Sequence, residues 1–294
     1  MRKNKYMKKI CCIFFFSLLT FPAIGQQRNS KGQKIISKIE AYSQRGDKPY
    51  IIIDFKYNSN LELQEVVQQA PASKQTLYWK KQGNALTQKV VWDYQTIYKP
   101  SKYTYALTPD GYIHTKTIDD LGIDGSVLRH LYEYHYDAKG TKLSMIYERT
   151  FFKERNGKFV ELSDRDKTYY GWDSNDNMFK SDLDSYQWKR GQKESNLPIE
   201  WNAFKYYDEL LNDTNLNLAL IDESLRDIND FVLLTEWVSC HSKHLVEKRY
   251  YTFSYIYDNK RGNSDKDENK GNIIRIDVYQ HGHLDKFFKL YYMM

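Results

Sequence analysis

What most constrains this chain is a unit that recurs along it: an aromatic-rich alternating strand, a tight turn of Asn, Asp or Gly, and a second alternating strand. The clearest copy runs Tyr132-Glu133-Tyr134-His135-Tyr136-Asp137-Ala138-Lys139-Gly140-Thr141-Lys142-Leu143. In the segment 50–57, Ile51, Ile53, Phe55 and Tyr57 share one face while Asp54 and Lys56 lie on the other, the period-2 signature of a half-buried strand. Further turn signals stand at Arg45-Gly46-Asp47-Lys48, Asn58-Ser59-Asn60, Gln82-Gly83-Asn84, Pro109-Asp110-Gly111, Asn156-Gly157-Lys158, Asp173-Ser174-Asn175 and Arg190-Gly191-Gln192. Such residues between alternating apolar runs mark hairpins, because they tolerate the left-handed backbone that tight turns require.

Counting strands between these tips predicts an all-β chain of about fourteen to eighteen strands. Consecutive hairpins place each strand beside its predecessor, and a twisted open sheet rarely exceeds about ten strands without curling or closing. The predicted fold is therefore a long antiparallel meander curved into an open or closed barrel-like sheet. Of the 26 tyrosines, all but Tyr6 follow residue 25. Aromatic cross-strand pairs stabilise sheets by roughly 0.2–1 kcal/mol each, so the tyrosines read as sheet residues. The pattern breaks after Asn196. Pro198 suits a first helical turn, and Ile199, Ala203, Phe204, Tyr207, Leu210 and Leu211 recur at helical spacing. These predict a helix over 198–211 and a second short one within 215–228, capping an open end of the sheet. Strands resume at 231–238, 246–257, 271–280 and 283–292, with a polar loop at 259–270.

The N-terminus reads differently. Arg2, Lys3, Lys5, Lys8 and Lys9 precede an almost wholly apolar stretch, 10–21, and Ala23-Ile24-Gly25 forms a small-x-small cleavage site before Gln26. This predicts a signal peptide over 1–25, followed by a single all-β domain over 26–294 exported to the periplasm or cell surface. The apolar stretch falls short of the roughly 20 residues that span a bilayer, so membrane association, if any, is not by a transmembrane helix. Removing 1–25 takes away five of the 44 basic side chains and none of the 38 acidic ones, so the net charge falls from +6 to +1. The basic balance thus gives no argument for nucleic acid. Cys11 and Cys12 also leave, so Cys240 stands alone and no intramolecular disulfide is expected despite the oxidising destination.

Tyr255-Ile256-Tyr257-Asp258 and Tyr134-His135-Tyr136-Asp137-Ala138-Lys139-Gly140 resemble the Y-x-Y-D-x-x-G unit of tyrosine–aspartate (YD) repeat proteins. Ile36-Ser37-Lys38-Ile39, Phe55-Lys56-Tyr57-Asn58-Ser59-Asn60, and Ser242-Lys243-His244-Leu245-Val246 ahead of Tyr250 to Asp258 resemble uncharacterised exported gut-bacterial proteins with a porin-like β fold. The resemblance covers most of residues 33–292 and implies an exported β protein of that shape. It supplies no activity and no functional residues. Its members are typically lipoproteins, whereas both early cysteines here precede the apolar stretch, so a lipid anchor is not implied.

Candidate chemistry is sparse. Asp173, Asn175 and Asn177 match the D-x-[DN]-x-[DN] opening of a calcium loop, with Asp184 at the twelfth position. Met178 stands where that loop needs glycine, and an Asn/Asp-rich hairpin tip accounts for the same letters. Cys240-His241-Ser242-Lys243-His244 and His281-Gly282-His283 are metal-capable, at spacings awkward for a tetrahedral site. No G-x-S-x-G, H-E-x-x-H or phosphate-cradling glycine loop is present, and Asp164, Asp166, Asp182 and Asp184 show no spacing that singles out a catalytic pair. No catalytic residue, cofactor or firm metal site is predicted. Among the tryptophans, Trp172 and Trp188 lie near turn tips and are the glycan-stacking candidates. The expected role is a non-enzymatic binding or structural module of the envelope, its partner an envelope protein or polysaccharide. A glycan-binding accessory protein and an outer-membrane β-barrel are the alternatives. Against the barrel stand 28% charged residues, a mean hydropathy of −0.75, and many strands shorter than the roughly 9–11 residues needed to cross a bilayer.

Overall fold

The computed structural model describes residues 27–29, 31–93, 102–122, 125–180, 205–225, 227–238, 241–248, 251–258 and 271–294. Sixteen strands follow in chain order among the described residues: β1 (Ile36–Ser43), β2 (Ile51–Tyr57), β3 (Leu63–Ala70), β4 (Ser73–Gln82), β5 (Ala85–Trp92), β6 (Lys102–Leu107), β7 (Ile113–Leu121), β8 (Val127–Tyr136), β9 (Leu143–Lys153), β10 (Phe159–Trp172), β11 (Met178–Lys180), β12 (Lys205–Leu211), β13 (His244–Lys248), β14 (Thr252–Tyr257), β15 (Ile273–Gln280) and β16 (His283–Tyr292). They form one antiparallel meander in which β1 pairs with both β2 and β16. The free edges of this ladder are β11 and β12, which are consecutive among the described strands. The expected meander is present, and its ladder is open.

The two edges are nevertheless joined by polar contacts. Met178 N donates to Ser242 Oγ at 3.1 Å, His244 N to Asn177 Oδ1 at 2.9 Å, and Lys243 N to the Asp176 carbonyl at 3.2 Å. The Tyr206 hydroxyl lies 3.0 Å from Ser242 Oγ and also donates to the Met178 carbonyl. A seam of side chains thus holds the sheet where the ladder stops.

The hairpin letters have a backbone explanation. The aromatic residue ending one strand donates to the first carbonyl of the strand before it: Tyr57 to Ile36 (3.1 Å), Tyr136 to Ile113 (2.7 Å), Trp172 Nε1 to Leu143 (2.8 Å) and Tyr292 to Ile273 (3.0 Å). The next residue builds the turn. Asn58 Oδ1 accepts from Asn60 N and Glu62 N, and Asp137 Oδ1 accepts from Thr141 N and Lys142 N. Three residues on, the chain turns left-handed, at Gly140 with φ 70° and at Leu61 with φ 63°. Glycine meets that demand without steric cost, and leucine does not.

Alternate residues point inward, and in-register partners share that face: Phe55 opposite Val66, Val66 opposite Leu77, Leu77 opposite Val90, all buried. The interior is filled by the connection between β12 and β13. It holds a 3₁₀ helix (Leu218–Leu225), α1 (Ile228–Val232) and a π turn (Leu233–Trp237). Leu216, Leu218, Ile221, Phe231 and Val232 from this insert join Ile53, Leu77, Phe253 and Phe288 from the strands in one core cluster. Burying each such side chain is worth roughly 1.5–3 kcal/mol.

Two expectations are corrected here. Residues 205–211, expected to end a helix, form β12, because Tyr206 and Tyr207 reach across to the Met178 and Phe253 carbonyls and the strand pairs with β13. The first part of that expected helix, 198–204, lies outside the described residues. Residues 231–238, expected as a strand, are helical through Trp237: Asp227 caps α1 by accepting from Asn229 N and Asp230 N, and the segment is buried among core side chains. The short helix expected within 215–228 corresponds to the 3₁₀ helix.

Candidate functional site

The register of β7 to β10 aligns a row of polar inward positions. Lys116 pairs with Tyr132 and Tyr132 with Glu148, while Tyr134 pairs with Ile146 and Ile146 with Thr168. Facing them from the insert are Leu220, Asp227, Asp230, Phe231, Leu233 and Leu234. Between the two walls lies a chamber of about 290 Å³, close to the lower end of the roughly 300–1,000 Å³ typical of small-molecule pockets.

Its electrostatics are set by burial. Lys116 is only 5% exposed; its Nζ sits 3.0 Å from Asp230 Oδ1 and 4.8 Å over the Tyr132 ring. The Asp230 side chain is 54% exposed, which puts it at the opening. Asp227 is committed through Oδ1 to the α1 N-terminus, and burial, followed by the nearby Asp230 charge, pushes its carboxyl up. Glu148 Oε1 lies 3.1 Å from His130 Nδ1, and His130 Nε2 lies 3.6 Å from Asp120. The Glu148 contact raises the His130 pKa against the opposing effect of burial. Burial, and then the Glu148 charge, raises the Tyr132 phenol. Tyr134, 5% exposed, is raised further by burial, and its hydroxyl has no hydrogen-bond partner among the described residues. The α1 end is fixed to the sheet by Gln88, whose Nε2 donates to Asn229 Oδ1 at 2.6 Å while its Oε1 accepts from Tyr105 at 2.7 Å.

The residues singled out from sequence lie elsewhere. Asp173 Oδ1 accepts from Asn175 N and Asn177 N, Asp173 Oδ2 accepts from Asn177 Nδ2, and Asn177 Oδ1 serves the seam. These oxygens are therefore spent on the turn and the edge contact, and Asp184 lies outside the described residues. Trp172 is half-buried, its Nε1 bonded to Leu143 and Lys142 Nζ 5.3 Å over its ring, so it offers little free face; Trp188 lies outside the described residues. His241 Nε2 faces the Thr214 carbonyl at 2.8 Å and its pKa is lowered by burial, whereas His244 Nδ1 lies 3.0 Å from Asn177 Oδ1. Among the described residues no three His, Cys, Asp or Glu side chains gather as a metal site. Sequence reasoning missed the chamber. Its one signal was the run of polar residues at inward positions of β7 to β9, visible only with the register in hand.

The outward face carries paired charges and covered rings. Glu133 and Arg149, near the middles of β8 and β9, pair at 3.0 Å, and Arg129 pairs with Asp119 at 2.7 Å. Tyr42 and Phe287 stack with centroids 4.7 Å apart, with Lys289 4.5 Å over the first ring and Arg275 4.0 Å over the second. Burial would raise the neighbouring Glu40 carboxyl, but hydrogen bonds from Lys38, Tyr291 and Tyr42 outweigh it and hold it down to about 2.

Solved structures similar to this chain include two porin-like proteins. A porin-like protein from Bacteroides uniformis matches with a TM-score of 0.49 and 14% identity, over 88% of this chain and 98% of that one. A porin-like protein from Bacteroides vulgatus matches with a TM-score of 0.46 and 13% identity, over 88% and 99%. No protein-family model and no curated protein matches the chain. No described helix is long and apolar enough to cross a membrane, which leaves crossing by strands open.

Proposed function

We propose that this chain is an exported, non-enzymatic binding module of the cell envelope that holds a small ligand in the chamber between β7–β10 and α1. The observation that carries this reading is the chamber itself: Lys116, Tyr132, Glu148 and Thr168 from successive strands line it opposite Asp227 and Asp230 of the insert. Burying polar groups costs stability unless they are fully paired, so their concentration in one cavity favours a role in recognition. Export rests on the basic N-terminus, the apolar stretch and the cleavage site before Gln26. The partner class stays with envelope polysaccharide or its small components.

An outer-membrane barrel is the second reading, favoured by the long antiparallel meander, sixteen strands among the described residues. The Glu133–Arg149 pair on the outward face weighs against it, since a cationic side chain facing lipid at mid-bilayer costs about 2–4 kcal/mol. Envelope fractionation with N-terminal sequencing separates the two. The binding-module reading expects a chain beginning at Gln26 and released without detergent. Recovery only in detergent, with heat-modifiable migration, would overturn it.

A further inference from the structure

We infer that the chamber recognises a small organic cation, a compact primary amine that enters past Asp230 and bonds to the Tyr134 hydroxyl; this rests on the chamber being the binding site. The walls carry three carboxylates, Asp227, Asp230 and Glu148, against one ammonium, Lys116, with the His130 imidazole paired to Glu148. Lys116 serves both carboxylates, bonding Asp230 Oδ1 at 3.0 Å while its charge also reaches Asp227, and the exposed Asp227 and Asp230 still repel each other. An ammonium arriving between Asp227 and Asp230 relieves that repulsion, and a charge-assisted hydrogen bond is about twice as strong as a neutral one. Aromatic faces add to this, because a cation within about 6 Å of a ring centroid is attracted to it, as Lys116 already is to Tyr132.

Tyr134 is the independent observation. The residue is only 5% exposed, its side chain lines the chamber, and its hydroxyl has no protein partner among the described residues. The hydroxyl opens into the chamber and is not sealed from solvent, and an ammonium N–H that enters there can donate to its oxygen. A neutral polyol would also satisfy Tyr134 while leaving the carboxylates uncompensated, and an anion would be repelled. A metal ion fits less well, since Asp227 Oδ1 is tied to backbone N–H groups and Glu148 to His130, so the three carboxylates do not converge.

Calorimetric titration of the exported chain tests this with two matched pairs, glucosamine against glucose and putrescine against butane-1,4-diol, each pair exchanging an amine for a hydroxyl. At least one amine should bind tenfold or more tightly than its partner. Asp227→Asn should weaken that amine at least fivefold while leaving folding intact, because Asn caps a helix about as well as Asp. Tyr134→Phe should weaken it as well, with an unchanged melting temperature confirming the fold. Equal or tighter binding of the hydroxyl partner, sensitive to Tyr134→Phe, would overturn the cation inference and keep the chamber as a site. No binding by any of the four, or binding indifferent to both variants, would overturn the chamber reading too.

Discussion

The interior of this sheet has two unlike regions built on the same strand alternation. On the side of β1–β4 and β14–β16, inward positions are Ile39, Ile53, Phe55, Val66, Leu77, Phe253, Ile276 and Phe288, and they share a cluster with Leu216, Leu218 and Ile221 of the insert. On the side of β7–β10 Ile113, Leu143 and Tyr170 continue that cluster, but the inward positions also include Lys116, Tyr132, Glu148 and Thr168, facing Asp227 and Asp230. The apolar region supplies the driving force of folding. The polar region contributes less to stability than apolar residues of the same size would, so its composition is better explained by what it can hold.

Substitutions should separate the two regions. Phe288→Ala, at a wholly buried position of the apolar region, should cost about 3–5 kcal/mol in denaturant unfolding. A loss below about 1 kcal/mol would mean that the insert is not packed against these strands as core.

Next in size is a pH effect at the root of the insert. Asn215 Nδ2 donates to Glu236 Oε1 at 2.9 Å, and burial pushes the Glu236 carboxyl from 4.5 up to about 7. A raised folded-state pKa contributes stability below the unfolded value and loses it as pH rises, so unfolding free energy should fall between pH 4.5 and 7, by roughly 1–3 kcal/mol. Glu236→Gln should flatten that slope in a pH series of denaturation curves. Glu40, held down to about 2, acts with the opposite sign: its contribution is present above pH 4.5 and is lost as pH falls toward 2. An unchanged slope in Glu236→Gln would remove the proposed buried carboxyl from the insert's anchorage.

In the polar region, Lys116→Met should change stability by less than about 1 kcal/mol, because it replaces a buried ammonium by an apolar chain and leaves Asp230 exposed to water. A loss matching that of Phe288→Ala would make the polar region structural after all. The smallest effect is expected at a turn. Leu61 holds φ at 63°, so Leu61→Gly should gain up to about 1 kcal/mol by relieving the left-handed conformation, read as a higher denaturation midpoint.

The hairpins were readable because alternation and turn chemistry are local: Ile51, Ile53, Phe55 and Tyr57 declare their face within one strand, and Asp137 bonds to amides four and five residues on. β12 was misread because Tyr206, Tyr207, Leu210 and Leu211 fit a helical spacing as well as a strand, and only the carbonyls of Met178 and Phe253, distant in sequence, decide between them. The chamber escaped for the same reason. Lys116 and Asp230 are 114 residues apart, and nothing in either neighbourhood announces the other. Asp173 drew attention as a cation ligand because the residues that build an Asn/Asp turn are those that ligate calcium.

The most direct test is a crystal structure of the exported chain grown with a saturating amount of whichever amine, glucosamine or putrescine, binds more tightly. Ligand density in the chamber, with an amine nitrogen within hydrogen-bonding distance of the Tyr134 hydroxyl and beside Asp227 or Asp230, is the expected result. A chamber closed by side chains or holding only water, with that amine elsewhere or absent, would contradict it.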